Sequence, residues 1–457
     1  MREQWGLTEG EHAELEAEVV GLLSRLLRAD TSNPPGDVRS AVDVLQGYFA
    51  GNGLSVTLVG ESPELVNCVV RLAGSGGGQT LVMLGHTDVV PADPDDWTEP
   101  PFVGVVKDGY VWGRGALDMK NQVAAQAVAL VRLARRAAAG ETLRGDLVFV
   151  AVADEETGDH SGARWIVEHH PGLVQGDFVI NEGGCEMFEA GGRRVYSIHA
   201  GEKGYAGCRI VVRGNGGHGS MPQHGRSVAC ALARIVTAIE EYEPEVLPSH
   251  VPAAFIDRVV ADPGLRGRLK DPATARSAVM ELAALDHDLA RNIEPLLGLT
   301  FATTNVRAGD AAVNVIPSHA EVIVDCRLLP GQSEEDLRRE VARALDGVDA
   351  DWELELLNCV ASNESPAESA LRDAVAATMA GLIPDADVIC EHSSGFTDSA
   401  HFRAAFPEAV AYGFTPFAVE TGPMIAPRVH GRDERIAVRD LVLQTVFSER
   451  LAERLLT

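Results

Sequence analysis

The sequence is poor in lysine: Lys107, Lys120, Lys203 and Lys270 are the only ones among 39 basic residues, against 67 acidic residues. The formal charge of −28 describes a surface that repels nucleic acid and anionic membranes, so neither is expected as a partner. The shortage of lysine itself reads as genomic bias and carries no functional weight. Seven cysteines stand singly with no C-x-x-C pair, which argues against a disulfide framework and against a cysteine zinc site. No charge-free apolar run reaches the roughly 18 residues of a membrane span; the best stretch, "VAAQAVALV", is cut by Arg132. The opening "MREQWGLTEGEHAELEAEV" is charged throughout, so no secretory signal is visible and a cytoplasmic protein is expected. A G-x-S-x-G nucleophile elbow is missing as well, which argues against a serine hydrolase.

What is present is ordinary globular composition, 46% hydrophobic and 23% charged over 457 residues, with length for about two or three domains. Leucine and valine recur at helical spacing over 8–28, and "TSNPPGD" ends that segment with turn residues. A second helix follows to about Tyr48. "LSVTLVG", "NCVVRLA", "TLVMLG" and "DLVFVAVA" then read as short apolar strands alternating with helical stretches such as 119–138. This is an α/β pattern with a largely parallel sheet. From Lys203 the texture changes to a strand ending at Arg213, a helix near 226–242, a variable stretch, strands at 301–307 and 319–328, and a helix at 333–345. That order predicts a smaller α+β domain over 203–360, inserted in a larger one made of 1–202 and 361–457. The larger one resumes its α/β character with a helix at 366–381.

The glycines of "VVRGNGGHGSMP" fit the spacing of a dinucleotide-binding loop, but the context does not. Pro222 and "QHGR" delay the helix, no acid occurs between Gly219 and Glu240, and His218 sits inside the loop. Other stretches carry more chemistry. "LVMLGHTDVVP" places His86 and Asp88 just after an apolar strand, where α/β sheets commonly build sites, and an aspartate there can fix the histidine tautomer. "GRGALDMKNQ" offers Asp118 at a loop-to-helix junction, where a helix N-cap is an equally good reading. Asp154, Glu155 and Glu156 leave one strand together; adjacent carboxylates need a cation, a proton or full exposure. "DFVINEGG" repeats the pattern with Glu182, and "RVHGRDERI" offers His430 before the final helix. Each piece alone has a plainer use. Together, two histidines and several carboxylates at strand ends make the mixed nitrogen and oxygen site that paired catalytic zinc ions use.

The ordered set "GHTDVVP", "GRGALDMK", "DEETGDHSGA", "NEGG", "GGHGSMP", "VNVIPSHAEVIVDCR" and "VHGRDERI" resembles the dinuclear zinc metallopeptidases that include aminoacylase, carboxypeptidase G, acetylornithine deacetylase and succinyl-diaminopimelate desuccinylase. The resemblance runs from about residue 15 to the C-terminus. It implies a zinc-peptidase-like α/β catalytic domain with a mostly parallel central sheet, interrupted by a smaller α+β lid and dimerisation domain. It implies Asp118 as the carboxylate bridging two metals, with His86 and Glu182 on one ion and Glu156 and His430 on the other. Asp88 would orient His86, Glu155 would be the general base, and a cis peptide would follow Asp118. His218 would belong to a lid loop that reaches an active site, often the partner subunit's. Asn314 would lie near the substrate, and Arg327 would bind a substrate carboxylate, a task that suits its planar fork.

The implied activity is metal-dependent hydrolysis of the amide bond of an N-acyl amino acid or short peptide with a free carboxylate, in a possible homodimer. Zinc is the implied metal, and cobalt or manganese suit the same ligands. Deacylase and dipeptidase or carboxypeptidase are not separable from these residues; a non-catalytic relative would lack the base or a ligand, and all are occupied. Two departures stand out. Relatives have a Gly-Gly-Thr-Asp stretch where this chain has "SSGFTDSAHFR", with Phe396 at the second glycine, and the stretch 245–300 is longer than the smallest lids of the family.

Overall fold

Three of the apolar runs, Leu81–His86, Leu147–Val152 and Phe178–Asn181, are strands buried at every position, and Val410–Gly413 joins them. Continuous burial is what a strand covered on both faces requires. All four run parallel, with Leu147, Leu81, Phe178 and Val410 level across the sheet. The side chains that follow their last residues therefore emerge along one edge. At the flanks the sheet turns antiparallel: Val66–Leu72 pairs with Leu147–Val152 and Thr57–Gly60 with Val66–Leu72, while His199 meets Gly413 on the other side. The sheet is thus mixed, parallel in its centre.

This computed structural model describes residues 5–158, 160–184, 187–190, 192–225, 227–247, 249–309 and 313–457. Asp159, in the acidic stretch quoted above, lies outside them. The chain divides into two units, one of residues 1–200, 365–391 and 397–457, the other of 201–364 and 392–396.

In the first unit one sheet face, with Val82, Leu84, Val148, Val150 and Val179, packs on Ala163, Ile166 and Phe402. On the other face lies the helix Lys120–Ala138. Gly85 lets that helix approach: a Cβ there would sit 2.9 Å from Met119 Cε and 3.0 Å from Val123 Cγ2. The close approach brings the loop before Lys120 down to the end of the His86 strand.

The second unit is a four-stranded antiparallel sheet in the order Thr300–Ala308, His319–Leu328, Gly204–Arg213, Trp352–Val360. The helices Val228–Glu241 and Glu334–Ala344 supply Leu232, Ile235, Leu337 and Val341 to a core with Ile210, Val322 and Val324. The stretch 245–300, which the sequence shows only as variable, forms the helices His250–Val259, Pro263–Leu269, Ala275–Leu285 and His287–Ile293. Their shortness hides their periodicity, while Asp262 and Asp286 cap two of them by accepting from the Leu265 and Leu289 amides. Among the described residues no helix is long and apolar enough to cross a membrane.

Candidate metal centre

His86, at the end of its strand, is fully buried. Its Nδ1 lies 3.0 Å from the Asp88 carbonyl oxygen and 3.4 Å from Asp88 Oδ1; its Nε2 lies 3.1 Å from Asp118 Oδ1 and 3.7 Å from Glu182 Oε2. One ring nitrogen is thus taken by a supporting group and the other points at two carboxylates, the arrangement of a histidine ligand with an oriented tautomer. Asp88 also accepts from the Glu155 amide at 3.2 Å, the Glu156 amide at 3.1 Å and Asn33 Nδ2 at 2.9 Å. Burial opposes its charge, but the His86 ring and these donors hold its carboxyl below the ordinary range.

Asp118 stands between two histidines. Its Oδ2 lies 3.1 Å from His430 Nε2, which is also 3.1 Å from Glu156 Oε2. Burial works against the Asp118 charge, yet His430 and His86 together hold its carboxyl far below the usual range. His430 has φ +57°, a left-handed conformation uncommon for a residue with a Cβ, and a side chain that is 53% exposed. Asp118 and Glu156 push its pKa up to about 10. Glu182 follows the Phe178–Asn181 strand, and burial raises its carboxyl to about 7, with His86 lowering and Asp118 raising it further. For Glu155, burial first and then the charge of Glu182 push the carboxyl well above its ordinary value.

The ligand atoms of His86, Asp118 and Glu182 all lie within 4.8 Å of one another, and so do those of Asp118, Glu156 and His430. Asp118 is common to these two clusters. Among the described residues a third group, His86 with Glu155 and Glu156, lies as close, so Glu155 stands beside the same centre. The donor set suits two divalent ions: imidazole nitrogens and carboxylates, with more negative charge gathered than two histidines offset. Among the described residues Glu156 Oε1 is also buried without a hydrogen-bond partner, a costly state for a carboxylate oxygen that a cation would relieve.

Three supports were not singled out in the sequence. Glu434, four residues after His430 and fully buried, accepts from the amides of Gly115 at 3.1 Å, Leu117 at 2.6 Å and Asp118 at 3.0 Å, and from Arg114 Nη1 at 2.7 Å. It folds the Asp118 loop around itself. Asn33 donates to Asp88 and, at 3.0 Å, to Asp154 Oδ1. After Glu182, Gly183 has φ +103° and Gly184 φ +59°; a Cβ on the first would sit 2.5 Å from His199 Nδ1 and on the second 2.4 Å from the Ser197 oxygen. Only glycine fits this turn. The one signal for Glu434 in the sequence was an acid placed beside His430, and exposure explains such an acid equally well. The peptide bond between Asp118 and Met119 is cis, as the resemblance implies.

The remaining expected site residues lie in the second unit. His218 is exposed, in a two-residue strand pairing with Val315–Ile316. Its Nδ1 lies 3.2 Å from the Ser220 amide nitrogen and 2.8 Å from Ser220 Oγ. Asn314 is exposed beside it and accepts from the Gly219 amide at 2.7 Å through its carbonyl. Arg327 is half-buried, forked onto Asp325 at 2.8 and 3.2 Å, with its guanidinium 4.9 Å from the Tyr205 ring centre. Phe396 is partly exposed.

The chain matches the model of "Peptidase family M20/M25/M40" over residues 82–454. It is 27% identical over 433 residues to succinyl-diaminopimelate desuccinylase of Cereibacter sphaeroides (strain KD131), covering 92% of this chain and 94% of that one. Its fold is that of an M20 family metallo-carboxypeptidase from Sulfolobus solfataricus, with a TM-score of 0.69, 17% identity, and 95% and 98% of the two chains covered. Human carnosine dipeptidase 1 superposes with a TM-score of 0.65 at 16% identity over 97% and 98%. The chain therefore belongs to peptidase family M20/M25/M40, as a hydrolase of amide bonds.

Proposed function

We propose that the protein hydrolyses the amide bond of an N-acyl amino acid or a short peptide with a free carboxylate. The observation that carries this reading is a pair of three-ligand clusters sharing Asp118, with Glu155 adjoining Glu156. The desuccinylase, carboxypeptidase and dipeptidase among its relatives support an amide substrate. His86, Asp118 and Glu182 would hold one divalent ion and Asp118, Glu156 and His430 the other. Bound there, two such ions, zinc by preference and cobalt or manganese by the same donors, supply a Lewis acid and an acidified water.

Glu155 is assigned as general base. A carboxyl raised by burial and by neighbouring charge holds a proton taken from the attacking water until the leaving amine receives it. Asp88 is assigned to orientation, since it fixes His86 through Nδ1 and holds the amides of Glu155 and Glu156. His218 is assigned to the developing oxyanion. Accepting from the Ser220 amide at Nδ1 leaves the proton of a neutral ring on Nε2, where it can be donated. Arg327, braced by Asp325 and Tyr205, is assigned to the substrate carboxylate, and Asn314 to the substrate beside His218. In this reading 1–202 with 361–457 form the catalytic domain, 203–360 form a lid through which a homodimer assembles, and the protein works in the cytoplasm.

The test is amine release by zinc-loaded protein across N-acyl amino acids and dipeptides, with Glu155→Gln alongside. Glu155→Gln should keep its metal and lose turnover by about 10²- to 10⁴-fold, the usual worth of a general base. Retained turnover would remove Glu155 from that role. The pattern across the panel separates a deacylase from a dipeptidase or carboxypeptidase, and silence with two metals bound would favour a relative that binds without cutting.

A further inference from the structure

The turn segment after the first helix does more than end that helix. Ser32 bridges Val89 in parallel, so the segment runs beside the loop that follows His86. The Asn33 amide donates to the Val89 carbonyl at 2.8 Å, the Val89 amide to Thr31 at 3.1 Å, and the Thr31 hydroxyl to the Thr87 carbonyl at 2.6 Å. Gly36, at φ +83°, closes the turn over the side-chain amide: a Cβ there would lie 2.8 Å from Asn33 Oδ1. The result is a pinned backbone carrying a side chain that is 5% exposed.

That side chain has two N–H donors. It spends them on two different buried carboxylates, Asp88 Oδ2 at 2.9 Å and Asp154 Oδ1 at 3.0 Å. Besides His86, whose Nδ1 lies 3.4 Å from Asp88 Oδ1, those carboxylates hold a single turn. Asp88 accepts the amides of Glu155 and Glu156. Asp154, itself at φ +65°, accepts the Thr157 hydroxyl at 2.7 Å and the amides of His160 at 3.0 Å and Ser161 at 3.2 Å. Two carboxylates this close repel unless something donates to both. Asn33 is that group.

We propose that Asn33 is a positioning residue for the metal centre: its amide joins Asp88 to Asp154 and so sets the turn that presents Glu155 and Glu156. The proposal rests on the reading of those two residues as base and ligand. Asn33→Asp tests it with little change of shape, because it replaces both donors by an acceptor and brings three carboxylates together. Zinc affinity of the weaker-held ion and kcat should each fall about 10- to 100-fold, the usual cost of losing a residue that supports metal ligands, while KM stays near wild type. Asn33→Ala adds no charge and should fall at the low end of that range. The double variant Asn33→Asp with Asp154→Asn returns an amide to the cluster and should recover part of the loss, which a merely structural role would not produce.

The measurement is zinc titration of metal-stripped protein against a competing chelator, with steady-state kinetics and melting of the metal-free proteins. Wild-type zinc affinity and kcat in folded Asn33→Asp would overturn the proposal. Should Asn33→Asp not fold, unchanged affinity in Asn33→Ala would overturn it, and a loss there supports it. A double variant no better than Asn33→Asp counts against it as well. Wild-type protein that takes up fewer than two zinc ions overturns the metal-centre reading, and this proposal with it; two ions held equally by wild type and variants overturn this proposal alone.

Discussion

The two halves of the candidate centre share Asp118 and are built in opposite ways. His86 closes a buried central strand, is wholly inaccessible, and has its second nitrogen fixed by Asp88; its companion Glu182 follows the neighbouring parallel strand. His430 sits in a loop at φ +57° with half its side chain exposed. Sheet ends hold side chains more firmly than loops do. One donor chemistry is thus anchored by the core on one side and, on the other, by a loop whose His430 carbonyl accepts from Arg114. The ion of the His430 half should be the one that exchanges.

The largest test removes what the halves have in common. Asp118→Ala should lose both ions and all turnover, measured as metal content by mass spectrometry. A content equal to wild type would refute the bridging assignment and leave two independent sites. A smaller effect separates metal-free from metal-loaded protein by pH. In the metal-free protein Asp118 and Glu156 raise His430 from 6.5 to about 10. A base whose folded pKa is raised stabilises the fold fully below its ordinary pKa and loses that contribution as pH climbs through the raised one. A metal ligand must be neutral, so zinc uptake at pH 7 should expel the proton from His430, and affinity should rise with pH across that window. Calorimetry in two buffers of different ionisation enthalpy reads the net proton release, to which His86 also contributes because, against its burial, Glu182 and Asp118 raise it; a release unchanged in His430→Ala would mean that His430 is already neutral.

The sequence was legible where one strand delivers one side chain. Buried apolar runs ending in His86, in Asp154 to Glu156 and in Glu182 place these side chains at strand ends by period and position, and the structure levels those strands. That they serve one metal centre came from their combination and from the family resemblance. It was illegible where burial reverses the meaning of a polar residue. Asn33 reads as turn chemistry and Glu434 as a solvated acid, because nothing local in the sequence says that Asn33 will be buried against a distant carboxylate or Glu434 against distant backbone amides. The helices of 245–300 escaped for another reason, being only 7–11 residues long. Choosing Glu155 over Glu156 as base came from the family resemblance, since spacing alone does not separate adjacent acids.

Glu434 gives the finest test of the comparison. Its Oε1 accepts the Leu117 and Asp118 amides, and its Oε2 accepts Gly115 and Arg114. Arg114 in turn reaches the His430 carbonyl at 3.4 Å. Glu434→Gln keeps the shape but has one oxygen for four donors. It must therefore strand either the two amides at Asp118 or the buried guanidinium, at a cost of about 3 kcal/mol in stability. Through Asp118 the change touches both halves; through Arg114 it touches only the His430 half. Stepwise zinc titration should show the loop-built half weakened about 10-fold and the sheet-built half less. The same substitution placed in His430→Ala, where only the His86 half is left to bind, should cost less than it does in the complete centre. An equal cost in both backgrounds would mean that Glu434 acts on Asp118 alone, and that Arg114 contributes nothing to holding the exposed half.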